Sequence, residues 1–141
     1  MKSMMLAAAL ALVSPSTAFA APPQMAPGLW QLTMTMGTNT LTRKECVTPE
    51  MVKEGVDRMA RSDNDKEQKN CNWSGSWSGN VYSFRSECKM EEDGPTTTTG
   101  TMTFESPQHV VQVMNTATMM GGEPQNMSMK IDHKWIGDCP K

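Results

Sequence analysis

The sequence predicts an α+β protein dominated by β-structure. It is read as a single domain, a curved antiparallel meander of about seven strands with one helix inserted after the second strand. Three observations predict it. Apolar residues recur with period two along most of the chain, as in half-buried strands. Turn residues (Gly, Asn, Pro, Ser) punctuate those runs. Only one stretch, opening at Thr48-Pro49-Glu50, combines helix-start signals with helical spacing of apolar residues.

The first 20 of the 141 residues read as an export signal rather than as structure. Lys2 gives a positive start, residues 4–13 an apolar run, and Ala18-Phe19-Ala20 a small-x-small cleavage site, so the mature chain is expected to begin at Ala21. The run is too short for a permanent membrane span, and no cysteine follows the cleavage point to accept a lipid. The expectation is therefore a soluble protein of the periplasm, without a membrane anchor once the signal is removed. Without Lys2, twelve basic residues face fifteen acidic ones, a balance that offers no footprint for nucleic acid.

Residues 21–27 are Pro-rich and read as an N-terminal tail; residues 28–141 form the domain. From Gly28 to Met36 the alternation places Trp30, Leu32, Met34 and Met36 on one side of a strand. Gly37-Thr38-Asn39 turns the chain into a more polar second strand over residues 40–47. Thr48 then serves as N-cap, with Pro49 in the first turn and Glu50 suited to the helix dipole. The helix is expected over residues 49–61, with Val52, Val56, Met59 and Ala60 as its apolar stripe. Residues 62–70 hold no apolar side chain and read as a solvated loop.

Between Cys71 and Cys88 two alternating runs meet at Gly79-Asn80, a dipeptide suited to a two-residue hairpin turn. In that register Trp77 opposes Tyr82, Gly75 opposes Phe84, and Cys71 opposes Cys88, which gathers aromatics and sulfurs on one face. Residues 91–95 turn the chain into a Thr-rich strand over 96–105 with Met102 and Phe104 on one side. Ser106-Pro107 turns it again into a Val-rich strand over 109–119. Residues 120–126, with Gly121, Gly122 and Pro124, read as a loop. The last strand, 127–136, carries Met127, Met129, Ile131, His133 and Trp135 on one face.

The four cysteines are an even number in an oxidising compartment, which points to two disulfides. A zinc site from all four thiolates fits poorly, because such sites use closely spaced pairs. In a meander, strand reversal puts Cys71 and Cys88 at one end of the sheet and Cys139 at the other, beyond the reach of a disulfide. The predicted pairs are Cys71 with Cys88 and Cys46 with Cys139. The helix and polar loop must then carry the chain from one end of the sheet to the other.

The landmarks in order are a signal peptide, Pro27-Gly28-Leu29-Trp30 opening a Met/Thr strand, Cys46-Val47-Thr48-Pro49-Glu50, the Cys-flanked hairpin with Gly79-Asn80, and Gly137-Asp138-Cys139. Together they resemble the exported bacterial proteins catalogued as Domain of Unknown Function thirty-six seventeen, across essentially the whole mature chain. One departure is Ser106-Pro107, where the family is expected to turn through a Gly-Asp type of sequence. The resemblance implies a periplasmic or secreted β-rich domain and carries over no catalytic or binding residue.

Methionine is the chemical peculiarity: fifteen in the chain, twelve of them after residue 20. Thioethers suit an irregular core poor in aromatics, and they are also soft ligands that select Cu(I). Met127 and Met129 project from the same strand face as His133, so these three are the candidate metal ligands of the alternative reading, a Cu(I)-binding protein. Trp30, Trp73, Trp77 and Trp135 are the candidates to face a ligand if the sheet leaves a hollow. His109 and His133 lie on separate strands, and no nucleophile elbow, redox Cys pair or zinc-protease motif accompanies them. The expectation is a non-enzymatic, monomeric domain without a cofactor, whose partner the sequence leaves unknown.

Overall fold

The computed structural model describes residues 20–61, 70–90 and 94–141. Residues 1–19, 62–69 and 91–93, on which the expected export signal, part of the expected polar loop and part of the expected turn after the hairpin fall, lie outside the described residues. Seven strands are formed: β1 (Gly28–Met36), β2 (Asn39–Val47), β3 (Cys71–Ser78), β4 (Val81–Met90), β5 (Gly94–Ser106), β6 (His109–Met120) and β7 (Glu123–Gly137). They make one antiparallel sheet in the order β2-β1-β7-β6-β5-β4-β3. The meander thus runs from β3 to β7, and the β1–β2 hairpin docks onto β7, with β2 and β3 as the two edges.

The hairpin register is as the alternation demands. Trp77 pairs with Tyr82, Gly75 with Phe84 and Cys71 with Cys88. Glycine at 75 and 100 has a steric cause: a Cβ at Gly75 would meet the Tyr82 hydroxyl, and one at Gly100 the Phe84 ring and the Val113 carbonyl. The far edge of each ring therefore occupies the space a Cβ would fill, and Trp73 stacks on Phe84 with ring centroids 5.1 Å apart. Trp77 contacts Tyr82 and Phe104, each at 5.3 Å.

The stretch expected as one helix is two: α1 (Pro49–Glu54) and α2 (Val56–Ala60). Thr48 caps α1 by accepting a hydrogen bond from the Met51 amide at 3.3 Å. Gly55, at φ 87°, then breaks the ladder, because that conformation lies outside the helical region and is one that glycine adopts without a Cβ penalty. The break turns α2 onto the inner face of the sheet, where the Tyr82 hydroxyl donates to the Asp57 carboxylate. The anticipated stripe survives the break: Ala60 is buried, and Val52, Val56 and Met59 pack against the core.

One further expectation is corrected. Residues 120–126 are not a long loop. Gly121-Gly122 alone turns the chain, and Met119 pairs with Pro124 in the ladder. Proline is tolerated there because β1 reaches only as far as Lys130, so this part of β7 has an open side that needs no amide donor. The N-terminal tail is anchored at its last residues: Met25 is buried in the core and the Ala26 amide donates to the Pro107 carbonyl at 2.7 Å.

Both disulfides join the pairs expected. Cys46–Cys139 has its Cα atoms 5.5 Å apart at the end of the sheet where β2 and β7 finish, and Cys71–Cys88 has them 4.0 Å apart at the opposite end. The chain from Val47 to Cys71 therefore crosses the sheet from end to end, with α1 and α2 on the inner face. Among the described residues no helix is long and apolar enough to cross a membrane.

Candidate functional site

The inner face follows from parity. Trp30 and Leu32 of β1, Met102 and Phe104 of β5, Val110 of β6 and Ile131 of β7 all project from it and are buried. The two helices do not press flat onto this layer. Between them and the sheet lies a cavity of about 490 Å³, within the roughly 300–1,000 Å³ typical of small-molecule sites.

Seven methionines line it. Met34, Met102, Met114 and Met129 come from the sheet, Met51 and Met59 from the helices, and Met25 from the N-terminal segment, with Trp30 and Leu32 among the other apolar walls. Unbranched thioether side chains can shift to follow an apolar guest at little cost, unlike the β-branched residues usual in a sheet. Two polar side chains interrupt this wall. The His133 ring meets Gln112, Nε2 to Oε1, at 3.2 Å, and the Gln112 amide nitrogen donates to the Met114 sulfur at 3.1 Å. Since the amide oxygen can only accept, the His133 proton sits on Nε2 and Nδ1 keeps its lone pair.

Burial pushes the His133 imidazole down to about 4; the charge of Asp132 opposes the shift and that of Arg43 adds to it. The sign for stability follows from comparing folded and unfolded chains. The unfolded imidazole binds a proton below about 6.5, whereas the folded one stays neutral to about 4. Stability from this group is full above pH 6.5 and falls as pH drops through that window, by roughly 3 kcal/mol in all. Urea unfolding at pH 7.5, 5.5 and 4 should show this loss, and His133→Gln should flatten it relative to the unmodified protein. An unchanged profile in the variant would remove His133 as the cause.

Charge gathers at the cavity rim. Arg43 and Glu45 project from β2 and pair at 3.4 Å, Arg58 of α2 pairs with Glu54, and Arg61 follows α2. The guanidinium of Arg61 lies over the Trp73 ring, 5.0 Å from its centroid, so the indole is held between Arg61 and Phe84. The Arg61 Nε and the Trp73 Nε1 are both buried and have no hydrogen-bond acceptor among the described residues.

The tryptophans expected to face a ligand therefore divide. Trp30, with no exposed surface, lines the cavity. Trp73 and Trp77 belong to the aromatic layer over β3 and β4. Trp135 sits near the sheet end, where its Nε1 donates to the Pro27 carbonyl at 3.2 Å. Of the proposed metal ligands, Met129 and His133 line the cavity, whereas Met127 lies further along the same strand face, 47% exposed and outside the lining. Gln112 and the arginines escaped the sequence reading. Their signal was parity: Gln112 falls between the inward Val110 and Met114, and Arg43 falls on the inward side of β2.

The outer face holds a separate polar cluster. His109 Nε2 lies 2.7 Å from Asp132 Oδ1, and Lys134 Nζ 3.1 Å from Oδ2. Partial burial would raise the Asp132 carboxyl, but the hydrogen bonds from His109 and Lys134 outweigh it and hold the group below its ordinary value. This cluster is on the side of the sheet opposite the cavity, since Asp132 alternates with the inward Ile131 and His133. Among the described residues no group of three or more His, Cys, Asp or Glu side chains is arranged to hold a metal ion.

A family model described as a protein of unknown function, DUF3617, matches residues 25–139. No curated protein and no solved structure matches the chain. The matched span begins at the buried Met25 and ends at the disulfide-bonded Cys139.

Proposed function

Because the chain belongs to the DUF3617 family, described only as of unknown function, we propose its role from the site itself: an exported, periplasmic, non-enzymatic binding module that takes a small apolar ligand between sheet and helices. The observation that carries this reading is the cavity of about 490 Å³ with seven methionines in its walls. A side-chain layer serving only as core would be close-packed, with few voids larger than a water. Two disulfides and the apolar N-terminal run with its small-x-small site support the export. A non-catalytic role is supported by the placement of the two histidines on opposite faces of the sheet, so that they do not converge on one site.

A second reading draws on one observation. His133, neutral and with its proton on Nε2, shares the cavity wall with Met129 and Met114, which face each other across β6 and β7. Nitrogen and thioether sulfur together suit Cu(I). One set of titrations separates the readings. The neutral fluorophore N-phenyl-1-naphthylamine, added to the folded mature protein, should brighten and bind with a Kd in the micromolar range, and Met114→Trp should weaken it by filling the cavity. No enhancement with the folded protein would sink the apolar-ligand reading. Retention of Cu(I) against a chelator, lost in His133→Gln, would favour the metal instead.

A further inference from the structure

Resting on the cavity reading above, we infer that the ligand is an anionic amphiphile: a single aliphatic chain carrying a carboxylate or phosphate group, with the chain among the methionines and the head at Arg61. Three observations converge on it. First, among the described lining residues three arginines, Arg43, Arg58 and Arg61, face the acid Glu45, and with Glu54 paired to Arg58 one cation, Arg61, is left uncompensated.

Second, the three arginines differ in what they lack. Arg43 and Arg58 have carboxylate partners in Glu45 and Glu54. Arg61 has the Trp73 ring beneath it, which attracts its charge but accepts no in-plane hydrogen bond. Arg61 thus lines the cavity as the one arginine without a carboxylate partner among the described lining residues. A guanidinium that lacks an anion is answered by a carboxylate or phosphate oxygen through charge-assisted hydrogen bonds.

Third, the apolar inner face does not end where the helices do. Met36, Leu41 and Met127 project from it, each well exposed. Strands β1, β2 and β7 thus prolong the methionine lining into an open apolar track suited to an extended chain rather than a compact guest. A neutral apolar molecule would use the track and the cavity but leave the Arg61 charge without a counter-ion.

The test uses the mature protein with N-phenyl-1-naphthylamine bound, displaced by dodecanoate, dodecyl phosphate or dodecanol at low ionic strength. Either anion should displace the probe at roughly tenfold or more lower concentration than the alcohol, as one charge-assisted hydrogen bond implies. Arg61→Met should abolish that preference while the probe still binds, and Arg61→Lys should restore part of it through charge alone. Equal displacement by acid and alcohol would overturn the anionic head while leaving the cavity reading intact. Absence of probe binding to the folded protein would overturn both. A preference for one anion over the other would identify which headgroup the site takes.

Discussion

Replacing Trp30 with alanine is expected to cost about 3–5 kcal/mol of folding stability, the range for removing a fully buried aromatic side chain. The indole has no exposed surface, opposes Trp135 on β7 and Glu45 on β2, and lines the cavity. Its Nε1 also donates to the Ala26 carbonyl at 2.9 Å, holding the N-terminal segment that brings Met25 into the core. Truncation thus opens a void and frees a segment together. Against a total stability of about 5–15 kcal/mol for a domain of this kind, the variant should unfold at a much lower urea concentration. Trp30→Phe keeps most of the volume and should cost far less. A loss below about 1 kcal/mol for the alanine variant would contradict the placement of Trp30 at the centre of the packing.

Removing the Cys46–Cys139 disulfide as Cys46→Ser with Cys139→Ser should cost about 4–5 kcal/mol, and removing Cys71–Cys88 in the same way about 3 kcal/mol. The order follows from loop length. The first bond closes a sequence separation of 93 and the second one of 17, and the entropy withheld from the unfolded chain grows with the logarithm of the loop. The two bonds also protect different places. The short loop pins the edge strand β3 to β4, which already share a ladder, whereas the long one ties β2 to the segment after β7 across the intervening β1. Equilibrium urea unfolding of the two double variants tests the ranking, and a larger loss from the short loop would refute it.

Much of the fold was legible because period two leaves little freedom. Once Gly79-Asn80 is taken as the turn, every pair between β3 and β4 follows, disulfide included. The boundaries of β1 could be read from its alternation alone. The docking of the β1–β2 hairpin onto β7 could not, because nothing local in β1 encodes which strand it meets. The helix was misread as continuous because the apolar stripe passes straight through Gly55, although glycine inside a helix costs about 1 kcal/mol relative to alanine and marks a possible break. The site was legible in part for the same reason. Parity placed Met129 and His133 on one face. The pairing of His133 with Gln112 depends on the β6–β7 register, which the two-residue turn at Gly121-Gly122 sets and a seven-residue loop would leave open. Arg61 was beyond reach, since its place over Trp73 depends on the crossing from β2 to β3 and on the break that aims α2.

The two cross-links have a topological consequence. The span closed by Cys71 and Cys88 lies wholly inside the span closed by Cys46 and Cys139, so the molecule is a small ring nested within a large one. Any single backbone cut between residues 46 and 139 leaves both fragments on one covalent body. A nick in an exposed turn such as Gly121-Gly122 would not release either piece.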